Sequence, residues 1–384
     1  MRILLTSSLG GVGHLTPIVA AARASLRLGH DALVLVPPSL ADRIERTGIP
    51  FRVGHQPSKA FVDEIWTRVR AGAPEADGLI DRELFADRAT RAMLGPFRAA
   101  RDTWQPDLVV REPCEYASAV VAHEAGIAQA QIGISLSSIE RGVLDMVAPI
   151  VDRHSLGVAE AIGAAPYLSS FPASLDPSPW AITLRFRTAA PVVGELPEWW
   201  RGGERPLVYV SFGTVIGHLP EANGVYRSVL DAVSGLPVRV LITVGQAVDI
   251  DRLGPIPANT HVEQWLPQAD VLAHAALVVC HGGSGTTFGA LAAGVPLVIC
   301  PLFADQPVNA QLVQAAGAGL AVVSMSDEPS NLRSLGAADV APLREAIQQV
   351  LGEPAYRRAA ERIGAEMAAT PTLEDVIDKY LAKP

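Results

Sequence analysis

The chain is poor in the features that mark several large function classes. Its 384 residues include only 3 cysteines, Cys114, Cys280 and Cys300. These are too few and too scattered for a disulfide framework or a zinc site, and each lies in or beside an apolar run as a small buried hydrophobe does. No apolar stretch reaches the ~18 residues that a membrane span needs. Met1-Arg2 leads straight into strand-like Ile3–Thr6, without a signal-peptide core. A cytoplasmic protein without stable membrane insertion is therefore expected. Positive charge is also in deficit: the formal net charge is −9, which argues against the basic stripe of a nucleic-acid partner.

What is present describes a globular chain with a large core, 49% hydrophobic and 18% charged. Its length suits two domains of roughly 150–200 residues. Apolar, β-branched runs lie at 2–7, 31–36, 107–111 and 129–134, and again at 207–212, 238–244, 277–280 and 297–300. Helical patterns alternate with them, as at 16–28, 86–103, 115–125, 226–234, 285–293 and 306–316. Such alternation predicts α/β domains with parallel sheets covered on both faces. The proline-rich stretch Phe171–Pro197 reads as linker, neither strand nor helix, with the boundary near 190–205. Three helical stretches, 338–351, 354–368 and 372–382, close the chain, one of them suited to pack back across the boundary. Residues 54–84 fit neither pattern but carry Phe61, Trp66, Leu79 and Ile80. They suit either a binding lid or a cover over core.

Two glycine-rich turns follow strands. In the second, His281-Gly282-Gly283-Ser284-Gly285-Thr286-Thr287 leads from an apolar strand into a helix. Bare amides at the positive end of a helix dipole hold phosphate. No lysine follows the glycines, so this is not the P-loop of ATPases. In the first, Leu9-Gly10-Gly11-Val12-Gly13-His14 runs into Leu15-Thr16-Pro17, with Thr16 a candidate cap and Pro17 expected in the first helical turn. A dinucleotide site would need an acid about 20 residues on, but the second strand ends in Val36-Pro37-Pro38. What remains there is His14, a candidate base with an ordinary pKa of about 6.5. Its alternative is an imidazole that satisfies its own loop. Glu112, after the strand at 107–111, lies at the same sheet edge and is either a partner that orients His14 or a solvated loop acid. Trp265 suits stacking on a nucleobase or burial in core. Asp305 and Gln306 offer acceptors and donors to sugar hydroxyls, although an Asp at a helix start is also a common cap.

Together these residues resemble the family 1 glycosyltransferases, especially bacterial enzymes that glycosylate antibiotics and other natural products. The likeness runs over most of the chain as an ordered series: Gly-Val-Gly-His-Leu-Thr-Pro at 11–17, Trp-x-Pro-Gln at 265–268, His-Gly-Gly-Ser-Gly-Thr at 281–286, Ala-Gly-Val-Pro at 293–296 and Asp305-Gln306. The resemblance implies the GT-B architecture, two Rossmann-like domains facing each other across a cleft. Residues 1–195 would bind the acceptor, 205–370 the nucleotide sugar, and 371–384 would form a helix packing back on the first domain. It implies inverting, metal-independent transfer without a cofactor, from a nucleoside diphosphate sugar to a hydroxyl of an apolar aglycone such as a polyketide.

By matching position, His14 would be the base and Glu112 the acid that orients it. Trp265 would stack on the donor base, with Gln268 near the ribose or base edge. His281, Gly283, Ser284, Gly285 and Thr286 would hold the diphosphate, supported by Thr214, and Asp305 and Gln306 would meet the sugar. Phe61 and Trp66 are candidate acceptor contacts. Relatives that use UDP commonly carry Glu where this chain has Gly289, so the resemblance favours dTDP and a deoxysugar. Alternatives are a nucleotide-sugar epimerase on the same architecture and a catalytically silent auxiliary protein. The choice between monomer and homodimer is left open.

Overall fold

The computed structural model describes residues 1–9, 11–71, 78–188, 203–213, 216–218, 222–324 and 333–381. The chain divides into two compact units. Unit 1 is Met1–Ala189 with Thr370–Pro384, and unit 2 is Ala190–Ala369.

Unit 1 is built on seven strands: β1 (Arg2–Thr6), β2 (Asp31–Val36), β3 (Phe51–Val53), β4 (Leu108–Arg111), β5 (Ala128–Ile132), β6 (Tyr167–Ser169) and β7 (Thr183–Arg185). They pair in parallel in the order β3-β2-β1-β4-β5-β6-β7. The central strands read as continuous apolar runs because helices cover both faces. Ile3, Leu5, Val34 and Val110 join one core cluster, and Leu4, Leu35 and Val109 join another. Thr6 pairs with Leu35 on one side and Arg111 on the other. The residues just after β1 and β4 therefore leave the sheet side by side.

Unit 2 carries β8 (Leu207–Ser211), β9 (Arg239–Thr243), β10 (Thr260–Glu263), β11 (Ala275–Cys280), β12 (Leu297–Ile299) and β13 (Gly319–Ala321). All are parallel, in the order β10-β9-β8-β11-β12-β13. Cys280 pairs with Ser211 and with Ile299, so the turns after β8, β11 and β12 emerge at one edge. In open α/β sheets that edge is where ligands bind.

Three expectations need correction. Of residues 54–84, of which 72–77 lie outside the described residues, much is regular: a helix spans Lys59–Arg70, started by Ser58, whose hydroxyl accepts from the Phe61 amide at 3.3 Å. A π-helix follows at Ile80–Ala89 and runs into the helix Thr90–Trp104. Val62, Ile65, Trp66 and Val69 hold helical spacing after the cap, and that signal was readable. The proline-rich stretch is not all linker, because β7 lies within it. Prolines 172, 177 and 179 precede β7 and leave its three residues free to pair at the sheet edge. Finally, Thr16 is no cap. The helix begins at Val12 after Gly11, at φ +88°, and Thr16 Oγ1 donates to the Val12 carbonyl at 2.8 Å, which leaves Pro17 inside the helix.

The last segment, a short helix Leu373–Val376 continued by Ile377–Leu381, belongs to unit 1. Leu373, Val376 and Ile377 are buried with Ile3, Leu5 and Ile18. Arg27 pairs with Glu374 beside them. Leu373→Ala is expected to lower the stability of unit 1 by about 2–5 kcal/mol, as for other large-to-small core changes. Denaturant unfolding measures it, and a loss near zero would mean that the segment adds nothing to this core.

Candidate active site

In unit 1, the chain leaving β1 places Ser8 and then His14 above the turn that follows β4. His14 Nδ1 lies 3.3 Å from Glu112 Oε2 and 3.2 Å from Ser8 Oγ. Glu112 is fully buried, yet both its oxygens are hydrogen-bonded. Oε1 accepts from the Ser8 amide at 2.7 Å and Oε2 from the Cys114 amide at 2.7 Å. Burial pushes this carboxyl up, but the His14 imidazole and the bonds from Ser8 outweigh it and hold the group below its ordinary value. An ionised Glu112 accepts from Nδ1–H, the tautomer this network assigns. That leaves Nε2 as the basic nitrogen.

The π-helix Ile80–Ala89 brings Phe85 to a ring distance of 5.7 Å from His14. Asp81, on the same helix, is raised by burial against the opposing pull of His14. π-Helical turns often sit at functional sites. Ser8, Phe85 and Asp81 were missed from sequence. The Ser7-Ser8 pair directly after β1 was a usable signal, whereas a π-helix leaves no pattern that periodicity detects. Phe61 and Trp66 lie on the helix Lys59–Arg70, both half-buried, with the Arg88 guanidinium 5.0 Å above the Phe61 ring.

Among the described residues, one cluster has metal-ligand spacing: His14, Glu112 and Cys114, with ligand atoms within 4.8 Å of one another. Its chemistry fits an ion poorly. The Glu112 oxygens already take amide hydrogens, and burial holds the Cys114 thiol well above its usual range, hence protonated.

In unit 2, the turn after β11 is shaped by glycines. Gly282 has φ +90°, and a Cβ there would lie 2.8 Å from Ile299 Cγ2 and 3.0 Å from the Gln306 carbonyl. The His281 ring packs on Gly213 and Gly283, where a side chain would collide with it. Burial lowers the His281 pKa to about 4, against the pull of Asp305 and a backbone bond to Ser211, so the ring is neutral near pH 7. The helix Ser284–Ala292 starts at this turn. Thr287 makes the first backward bond, to the Gly283 carbonyl at 3.0 Å, so the amides of Ser284, Gly285 and Thr286 have no helical acceptor. Ser284 Oγ donates to Asp305 Oδ2 at 2.8 Å, and Asn309 Nδ2 donates to the Gly282 carbonyl at 2.8 Å and to Ser284 Oγ at 3.0 Å. Asn309, one helical turn beyond Asp305, was also missed.

The other expected donor residues divide by exposure. Trp265 is 62% exposed, which removes the core alternative for it. Gln268 opens a short helix, with its Nε2 buried and without a hydrogen-bond partner. Gln306 is only 3% exposed, and its Oε1 accepts from the Leu302 and Phe303 amides at 2.9 and 3.0 Å. It braces the turn, a duty not foreseen for it. Asp305 follows Ala304, which is held at φ +56°, and its side chain makes no cap bond, contrary to the simplest alternative. Thr214 and Gly10 lie outside the described residues.

The family model described as erythromycin biosynthesis protein CIII-like, C-terminal domain, matches residues 227–382. Over its whole length the chain is similar to the L-demethylnoviosyl transferase of Streptomyces niveus, 30% identical over 97% of this chain and 95% of the relative. The chain belongs to the antibiotic-pathway glycosyltransferases. Solved structures agree on the fold. The glycosyltransferase SnogD from Streptomyces nogalater superposes with a TM-score of 0.75 at 24% identity, covering 100% of this chain and 99% of that one. The glycosyltransferase SsfS6 of Streptomyces sp. SF2575, complexed with thymidine diphosphate, gives a TM-score of 0.74 at 25% identity, with 98% of each chain covered. The enzyme is thus a glycosyltransferase with two Rossmann-like units of the GT-B class, and membership favours transfer over the epimerase reading.

The glycosyltransferase's turn after β11 depends on Gly282. Gly282→Ala combines a left-handed backbone with two close contacts and is expected to destabilise unit 2 by about 2–4 kcal/mol. Thermal or denaturant unfolding checks this, and a wild-type midpoint would contradict it.

Proposed function

We propose that the enzyme transfers a deoxysugar from a dTDP donor to a hydroxyl of an apolar natural-product aglycone, with inversion and without a metal. The observation that carries this reading is the His14–Glu112 contact, with Ser8 bonded to both partners. His14 Nε2 takes the proton of the acceptor hydroxyl while Glu112 stabilises the imidazolium that forms. The acceptor oxygen bonds to the anomeric carbon as the bond from that carbon to the diphosphate oxygen breaks, and the electron pair leaves with dTDP. A single displacement inverts the anomeric centre.

The departing charge falls to the amides of Ser284, Gly285 and Thr286 and to the helix dipole behind them. Neutral His281 shapes the same turn, its ring packed on Gly213 and Gly283 and tied to the Ser211 backbone. The amide donors supply the charge stabilisation that the departing diphosphate needs. Exposed Trp265 offers a face to the thymine, and the unpartnered Gln268 Nε2 a donor beside it. A Cβ at Gly289 would be 3.7 Å from Gln268 Oε1, so the two positions are neighbours. Glycine there supplies no carboxylate to a ribose 2′-hydroxyl, which supports dTDP over UDP. Asp305 is the acceptor for sugar hydroxyls, held by Ser284 and Asn309, while Gln306 shapes the turn. The relative named L-demethylnoviosyl transferase and the solved relative with thymidine diphosphate point the same way.

Calorimetry is expected to show dTDP binding at least about tenfold tighter than UDP, a difference of about 1.4 kcal/mol. Equal or tighter binding of UDP would overturn the donor assignment. His14→Ala is expected to reduce kcat by about 10²–10⁴-fold, the usual range for a general base, while dTDP affinity stays within twofold. Transfer from a dTDP-deoxysugar to a phenolic aglycone provides the assay, and a fully active variant would remove His14 as base.

A further inference from the structure

One charged side chain beside this site has no part in the chemistry above. Arg111 ends β4, in the middle of the unit 1 sheet, where the pattern Leu-Val-Val calls for another apolar residue. It is 1% exposed. A guanidinium there is costly unless its donors are met, and burial works to lower its pKa. Its hydrogen bonds go to carbonyls. Nη1 donates to the carbonyls of Glu112 at 3.2 Å, Pro113 at 3.2 Å and Glu115 at 3.1 Å, and Nη2 donates to Gln131 Oε1 at 2.8 Å. The Tyr116 ring lies 5.8 Å from its Cζ.

We propose that Arg111 is a positioning residue: its guanidinium gathers the carbonyls of the Glu112–Glu115 turn and so fixes the Glu112 carboxylate against His14. This rests on the reading of His14 and Glu112 as base and orienting acid. With the turn's carbonyls drawn onto Arg111, the Cys114 amide is left to face Glu112 Oε2, where it donates at 2.7 Å. The backbone on one side of the turn holds the cation, and on the other it holds the anion. An apolar residue at 111 would fill the sheet equally well but leave the Pro113 and Glu115 carbonyls without the guanidinium, the Glu112 carbonyl keeping only the Glu115 amide at 3.1 Å, and the turn would have to rotate to satisfy them. A lysine keeps the charge yet cannot reproduce a planar fork reaching three carbonyls and an amide oxygen. Glu115, at the far end of the turn, is tied separately by accepting from the Ala117 and Ser118 amides. The turn is thus pinned at both ends. The charge of Glu112 is faced by His14 from the helix Val12–Arg27, by Arg111, Cys114, Glu115 and Tyr116 along β4 and its turn, and by Glu140 from the helix Ser137–Val151.

The test is the tautomer of His14, read by long-range proton–nitrogen spectra of the full-length protein, with His14→Gln assigning the signal. In the wild type the neutral ring is expected as Nδ1–H. In Arg111→Met it is expected to give way to Nε2–H, the form free histidine prefers, and in Arg111→Lys to a mixture of the two. A general loss of stability would not exchange tautomers in the folded state. Should Arg111→Met unfold, all nine histidines would collapse to random-coil shifts, and Arg111→Lys then carries the readout. Retention of Nδ1–H in the folded variants would overturn the positioning role while leaving the base assignment standing. An Nε2–H ring already in the wild type would instead overturn the His14–Glu112 pairing, and the role of Arg111 with it.

Discussion

Parallel strand pairing is the constraint on which both functional clusters depend. Because every strand in a unit points the same way, each strand's following turn emerges at one edge. In unit 1 the pairing of Thr6 with Arg111 sets Ser8 and His14 beside Glu112, across about a hundred residues of sequence. In unit 2 the pairings of Cys280 with Ser211 and Ile299 bring Gly213, His281 and Asp305 together. A one-residue slip in either register would reverse which side chains face the core and separate these partners.

The two edges use electrostatics in opposite ways. Unit 1 meets the buried ionisable groups beside His14 with backbone: Glu112 accepts amides, Arg111 donates to carbonyls, and Glu115 accepts at a helix start. Glu115 and Glu140 are pushed by burial to about 7 and about 8, so near neutral pH they are largely uncharged or poised. The ionised acid is then Glu112, which has His14 beside it. Unit 2 relies on dipoles instead: a neutral imidazole, free first-turn amides and glycines that keep the backbone bare. An arrangement of this kind suits the diphosphate of the proposed function without holding a buried cation of its own.

Local order within the sequence made much of this legible. Of the thirteen strands among the described residues, eight were visible as apolar runs. The short edge strands β3, β7, β10 and β13 were not, nor was β6, because three or four residues give periodicity too little length to register. The glycine-rich turns were readable because backbone freedom has a residue signature, and His281, Ser284 and Asp305 gather around the second of them. The helix Lys59–Arg70 also had its spacing in the open but was obscured by the flanking loop residues.

Chain-local chemistry therefore determined the class of fold, the position of each glycine-rich turn and the residue types offered to a sugar nucleotide. It could nominate Glu112 as the partner of His14 but could not pair them, since their meeting depends on strand order and register. It also could not see that Trp265 is exposed, that Gln306 turns inward, or that Arg111 is buried against carbonyls. Each of those is a property of neighbours distant in sequence. Burial and hydrogen-bond partners arise only when the sheet closes around a residue, so tertiary structure alone decided them.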